Sequence, residues 1–275
     1  MTFWPVIARR AGSHAVARRT TLIPNQWDGS VQHYYHFMLG YLVPIFRWIS
    51  SHPNKPISVR DCGPMNQWFE LFQENQEIEI LNVGDVLHIL AGKLSPHQVL
   101  RGMDDPQKFP ASELRRFAAF SSEVAAAKVG GINTTEVLIS ARTASDPFYN
   151  SEKSESQHSG QERRSIPNLD EVVDTWSDNR ITSVDMSTLN IYDQIWLHTQ
   201  ARVLIGQHGA GLTSMLWMSP GSTVIEILPP TPRRTQEIFA NLARALGLNH
   251  IVVPQLGLHA PIDIEQITQA LDQAR

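Results

Sequence analysis

Cysteine is nearly missing from this chain: Cys62 stands alone among 275 residues. An internal disulfide framework is thereby excluded, and no Cys/His spacing matches a structural zinc site, while the redox compartment stays open. Long apolar runs are missing as well. None approaches the roughly 18–20 residues that a membrane-spanning helix requires, so no transmembrane segment is expected in this chain. Basic charge is in short supply, with a formal net charge of -4 and an isoelectric point near 6.2. Without an electrostatic footprint for polyanions, nucleic acid is not an expected partner. No G-x-S-x-G nucleophile elbow occurs, which removes hydrolases of that design.

What remains is a chain with 42% hydrophobic and 18% charged residues, enough for one large domain or two modest ones. The first stretch, Met1 to Asn25, carries Arg9, Arg10, Arg18 and Arg19 without an acid, and reads as a basic solvated arm or as a targeting peptide. The following region is irregular α/β. A helix is expected over 33–50, a strand at Ile57–Arg60, a helix over 66–74, strands at Ile78–Leu81 and Val86–Leu90, and an alanine-rich helix over 112–128 closed by Gly130 and Gly131. Trp48, Trp68 and Phe69 are expected in the core rather than as sugar platforms.

The second half alternates more regularly. Strands are expected over 137–139, 181–184, 203–205, 223–228 and 251–253, and helices over 169–176, 191–201 and 236–246. This alternation predicts a mostly parallel sheet with helices on both faces, which binds ligands beyond the carboxyl ends of its strands. Between Arg142 and Arg163 lies SDPFYNSEKSESQHSGQE, too hydrophilic for a core. It reads as a mobile surface loop, and the arginines bracketing it also allow a lid over a bound anion.

The most informative segment runs from Val203 to Trp217: an apolar strand, a turn made of His208, Gly209, Ala210 and Gly211, then a short helix starting through Leu212 and Thr213. Glycines let the backbone bend sharply and approach a ligand, and the first amides of the helix have no partner within it. A diphosphate can supply those partners and gain from the helix dipole. His208 can donate to a phosphate oxygen or assist a departing nucleoside diphosphate. Glu226 interrupts an apolar strand, and burying it unpaired would be expensive. It is expected at a strand end, accepting hydrogen bonds from ribose hydroxyls or from a structural partner such as an arginine or backbone amide. Two other uses of the turn compete. A dinucleotide fingerprint would place a third glycine where Ser214 stands, and its acid would lie about 20 residues on, farther than Glu226. A turn chosen only for packing a helix on a sheet is the other.

Taken together, HGAGLTS and the following MSPGSTVIE closely resemble the signature of the family 61 glycosyltransferases. Tyr34-Tyr35-His36-Phe37 is similar to the family's aromatic-His opening helix, Arg163-Arg164 with Asn168 is similar to its paired-arginine element, and the helix from Asp193 to Ala201 also matches. The likeness covers roughly residues 30–255. It implies an α/β fold of GT-B type with two Rossmann-like lobes and mostly parallel sheets. Residues 1–130 would form a reduced acceptor-side lobe and 131–275 the nucleotide-sugar-binding lobe. It also implies a UDP-sugar donor of the xylose, arabinose or N-acetylglucosamine class, a glycan or protein hydroxyl as acceptor, inversion at the anomeric carbon, and neither a metal nor a separate cofactor. In keeping with the last point, no D-x-D pair is present, and Asp104-Asp105 before Pro106 reads as a solvated surface pair. Arg142, Arg163 and Arg164 then become candidates for neutralising the diphosphate, since a guanidinium pairs well with phosphate.

An inverting transfer needs a base for the acceptor hydroxyl, and the resemblance points to His36, with His33 three residues earlier as another candidate and satisfied core histidines as the plainer reading. One position departs from the family pattern. Relatives commonly carry an acid four residues after this histidine, where this chain has Gly40. A catalytically inactive nucleotide-sugar-binding relative is therefore one competing expectation, and an NAD-dependent oxidoreductase using the same glycine turn is the other. Donor sugar, acceptor and compartment stay open.

Overall fold

The computed structural model describes residues 19–25, 30–92, 96–102, 110–155, 160–176 and 181–275. Two parallel sheets organise them. The first has the order β3-β2-β1-β4, from Thr20–Pro24 (β1), Ile57–Arg60 (β2), Ile78–Leu81 (β3) and His97–Leu100 (β4). The second has the order β6-β5-β7-β8-β9, from Val137–Ala141 (β5), Ile181–Asp185 (β6), Val203–Gln207 (β7), Thr223–Leu228 (β8) and Asn249–Pro254 (β9). Every strand pairing in both sheets is parallel. The architecture is thus Rossmann-like and two-lobed: the alternating pattern predicts the parallel sheet of the second half, and the family resemblance implies the two lobes.

The helices are Tyr34–Phe37 (α1), Val43–Ser51 (α2), Val83–Leu90 (α3), Ala111–Lys128 (α4), Leu169–Thr175 (α5), Ile191–Gln200 (α6), Ile238–Ala245 (α7) and Ile264–Ala274 (α8), with single turns at Gly160–Arg163 and Arg233–Gln236. Between α1 and α2 the chain widens into a π-helix, Met38–Leu42, all of it buried. Two segments expected as ordinary helices are wound tighter, as 3-10 helices at Gly63–Phe72 and Ala210–Trp217.

Alternation along the strands of the second sheet sorts its core. Val137, Ile139, Val203, Ile205, Ile225 and Ile227 meet Val172 of α5 and Ile267 and Leu271 of α8 on one face. Leu138, Leu204 and Val224 join Ile195 of α6, the 3-10 residues Leu212, Met215 and Leu216, and Leu242 of α7 on the other. Successive strand residues point to opposite faces, so this division follows from the period of two. The second face is continuous with the core of the first sheet: Leu22, Phe37, Tyr41, Trp68, Phe69 and Phe117 belong to the same cluster. Trp68 stacks on Trp217 at 5.4 Å, one ring from each half of the chain. Trp48, Trp68 and Phe69 are core residues, at 6%, 1% and 1% exposure.

Several expectations change. The run Val86–Leu90 is part of a helix rather than a strand, because the side chain of Asn82 accepts the amide of Asp85 at 2.9 Å and caps α3. A short apolar run cannot by periodicity alone be told from a helix segment. Strands β1 and β4 and helix α8 lie where the sequence pattern showed no element. The polar stretch after Arg142 is also tied down over its described part, contrary to a loose loop. Tyr149 Oη donates to the Gln32 carbonyl at 2.7 Å, the Glu155 amide donates to Gln32 Oε1 at 2.6 Å, and Glu155 forms a salt bridge with Arg60. Phe148 lies where a side chain on Gly63 would go. Residues 145–155 thereby strap the second half to the first. Arg9, Arg10, Arg18, Asp104 and Asp105 lie outside the described residues.

Candidate functional site

The connection after β5 runs through α5 on one face of the second sheet, and the connection after β7 runs through Ala210–Trp217 on the other. The strand order reverses between β5 and β7, and a crevice opens at their carboxyl ends. Ser140 and Arg142 come to it from β5, and Gln207 and His208 from β7. A cavity of about 230 Å³ lies there, lined by Ser140, Arg142, Ser165, Ile166 and Gln207 among others. A larger one of about 540 Å³ sits at the opposite strand ends, beside Glu136, Arg202 and Gly221, where open parallel sheets do not as a rule hold their ligands.

At the end of β7 the chain turns through His208 and Gly209. Gly209 has φ 152°, a backbone angle that a residue with a Cβ rarely adopts. The turn is crowded by cations. Arg142 Nη2 donates to the His208 carbonyl at 3.1 Å, and Arg164 Nη1 donates to the same oxygen at 2.5 Å. Arg163 is exposed beside them. Burial, reinforced by the charges of Arg164 and Arg163, lowers the Arg142 guanidinium to about 10. Burial and Arg163 also lower Arg164, against an opposing pull from Glu226. Among the described residues none of the three guanidinium groups has a salt-bridge partner. Three mutually repelling cations beside a glycine turn are chemically suited to an anion.

The rest of the turn divides by exposure. Ala210 and Gly211 are accessible, whereas Leu212 and Thr213 are each 1% exposed, main chain included, and the Leu212 amide is already bonded to the Gly209 carbonyl at 3.0 Å, so of the turn only Gly209, Ala210 and Gly211 are open to a ligand. Leu212 packs against Gly206, whose missing side chain makes room for it: an added Cβ would fall 2.9 Å from Leu212 Cδ2.

Glu226 is 0% exposed. Its register partner is Gly206, and it points, like Val224, toward the 3-10 helix. Its Oε1 takes Nδ1 of His208, and its Oε2 takes Nε2 of His250 at 2.8 Å. Burial raises its pKa, but the bonds to His208 and His250 outweigh that and leave it below the ordinary carboxylate value. A buried carboxylate with both oxygens engaged is out of reach of a ribose, so the structural alternative describes it, with histidines in place of the arginine or amide. His250 and Phe239 belong to this site and escaped the sequence reading, since only the parallel register of β9 on β8 brings His250 to Glu226.

His36 approaches from the first half. Its ring meets Tyr35 edge-on at 5.3 Å, Tyr35 meets Phe239 at 6.0 Å, and Phe239 meets His208 at 5.2 Å. His36 and His208 therefore stand at two ends of an aromatic row. Tyr34 Oη and Ser214 Oγ, 3.0 Å apart, join α1 to the 3-10 helix directly. His33 lies 6.3 Å from His36 ring to ring, and burial followed by the nearby Arg163 holds it below the ordinary imidazole value. Gly40 is buried inside the π-helix. Among the described residues no group of three or more metal-ligating side chains assembles, and no helix is long and apolar enough to cross a membrane.

Two parallel sheets, with a crevice at the switch point of the second beside a glycine turn and its arginines, define a Rossmann-like protein. The model of the family Glycosyltransferase 61 matches residues 34–225. That is well over half of the chain, and the protein belongs to this family and is a glycosyltransferase; the dinucleotide-dependent oxidoreductase is set aside. The match takes in His36, the three arginines and the glycine turn, and leaves Glu226, Phe239 and His250 beyond it. No curated protein sequence matches the chain.

Proposed function

We propose that this glycosyltransferase takes its sugar from a UDP-linked donor, inverts the anomeric carbon, and needs no metal. The observation that carries this reading is the meeting of Arg142 and Arg164 at the His208 carbonyl, next to Gly209, with no carboxylate among the described residues paired to either. In this reading the diphosphate lies across the turn, between the guanidinium groups and the first amides of Ala210–Trp217. The arginines supply the positive charge that a divalent ion supplies in other transferases. An acceptor hydroxyl of a glycan or protein attacks the anomeric carbon from the side of α1, and His36 takes its proton. The bond from that carbon to the diphosphate breaks on the opposite face, and the departing charge falls on the arginines. The two sheets correspond to the acceptor and donor lobes of a GT-B arrangement, and the sugar belongs to the xylose, arabinose or N-acetylglucosamine class.

Calorimetric titration with UDP, with and without EDTA, tests the donor site. Binding should survive EDTA and weaken in His208→Ala and Arg164→Ala. A charge-assisted hydrogen bond is worth roughly 1.5–3 kcal/mol, so each variant should lose about one to two orders of magnitude in affinity. Binding that requires a divalent ion would refute the metal-free reading.

A further inference from the structure

His208, Glu226 and His250 lie on three adjacent strands or their ends, and the period of two points all three toward the same face of the sheet. Glu226 stands between the two imidazoles, fully buried. An ionised carboxylate can only accept hydrogen bonds. Both nitrogens that face it must then carry protons: Nδ1 on His208 and Nε2 on His250. For His208 this leaves Nε2 as the nitrogen available to a ligand, while its carbonyl accepts from Arg142 and Arg164. The imidazole is therefore oriented by bonds at Nδ1 and at its own main chain.

We infer that His250 is a positioning residue for the donor site: it holds Glu226 so that Glu226 fixes the tautomer and orientation of His208, whose Nε2 faces the diphosphate. This rests on the reading of the glycine turn as the donor site. His250 does not touch the ligand and acts only through the carboxylate. Removing its N–H leaves one oxygen of a buried carboxylate without a donor, which favours the protonated acid. A protonated Glu226 can donate to His208 Nδ1, which moves the imidazole proton to Nε2. The charged groups bearing on this relay are Arg164, Arg142 and Arg163 from the strap side, and His33 near Arg163 from α1; Phe239 covers His208 from α7.

The test is UDP binding from pH 5.5 to 8.5 to the whole chain, in buffers of different ionisation enthalpy, so that protons taken up on binding are counted. His250→Leu removes the donor, and His250→Gln keeps one. His250→Leu should weaken UDP binding about tenfold and change both the proton count and the pH profile, and His250→Gln should recover most of each. Wild-type affinity and pH profile in His250→Leu, whatever its melting temperature, would overturn the inference while leaving the donor site intact. If wild type itself does not bind UDP, the donor reading falls and takes the inference with it. Long-range proton–nitrogen NMR on the unaltered protein, with the His208 signals assigned from His208→Ala, reads the tautomer without depending on a His250 variant. A proton on Nδ1 is expected, and a neutral His208 protonated on Nε2 would overturn the inference.

Discussion

A Cβ placed on Gly209 would fall 1.9 Å from Arg142 Nη2. The guanidinium fills the space that the absent side chain leaves, so the glycine and the arginine are one device: the first opens the turn and the second occupies it. Gly209→Ala must push Arg142 off the His208 carbonyl, and it must also strain a backbone at φ 152°. UDP affinity should fall by about ten- to a hundredfold, the worth of one charged hydrogen bond. Calorimetry checks this, and an unchanged affinity would show that Arg142 does not serve the ligand from this position.

His36 can be separated from the donor site by kinetics. His36→Ala removes the proposed base and should lower kcat by about 10²–10⁴. UDP affinity measured by titration should stay near wild type, because His36 is connected to His208 through Tyr35 and Phe239. A loss confined to UDP binding would move His36 into the donor site.

Stability should fall on mild acidification because of a residue outside the site. His198 is 1% exposed, its Nδ1 donates to the Gln194 carbonyl at 2.7 Å, and burial lowers its pKa to about 4 from 6.5. Between these values the unfolded chain binds the proton and the folded one does not, so stability drops as pH falls, by on the order of 3 kcal/mol. Urea unfolding across pH 7 to 4 should show this slope, and His198→Gln, which retains a donor but does not titrate, should flatten it.

Glu226 acts in a lower window. Its folded pKa lies below 4.5, so the stability it contributes is fully present above that value and is lost as pH falls through the folded one. The stability difference between wild type and Glu226→Gln should shrink below about pH 4.5. Near neutrality the variant should be less stable by about 1–3 kcal/mol, as expected for a buried group whose partners are mismatched. An equal difference at pH 6 and pH 3.5 would mean that Glu226 is not held ionised by His208 and His250.

The two halves should come apart slightly when Tyr34 loses its hydroxyl. Tyr34→Phe removes the bond to Ser214, with a net stability loss of about 1 kcal/mol. Differential scanning calorimetry and hydrogen exchange at α1 and Ala210–Trp217 would report it.

Short-range chemistry made much of the second lobe legible. The strand before the turn, the two glycines around Ala210 and the apolar alternation of β5, β7 and β8 are set by neighbours in the chain, and such patterns can be read residue by residue. The arginines were readable as candidates because guanidinium groups near a glycine turn suit a phosphate. Their meeting on one carbonyl was not, because Arg142 and Arg164 approach it from different segments. The stretch Val86–Leu90 failed at the strand–helix choice, which depended on one cap from Asn82.

By itself the sequence determined the α/β alternation, the family, the turn and the identity of the cations and histidines, since each is carried by residue type and local spacing. The tertiary structure alone decided what those residues face. It put the switch point between β5 and β7, buried Glu226 between two histidines rather than beside a ligand, and brought His250 to it through parallel register. It also set His36 across an aromatic row from His208 and strapped residues 145–155 onto the first lobe. These are contacts between distant segments, and they follow from which faces the packed sheets bury, a quantity that no local stretch of chain contains.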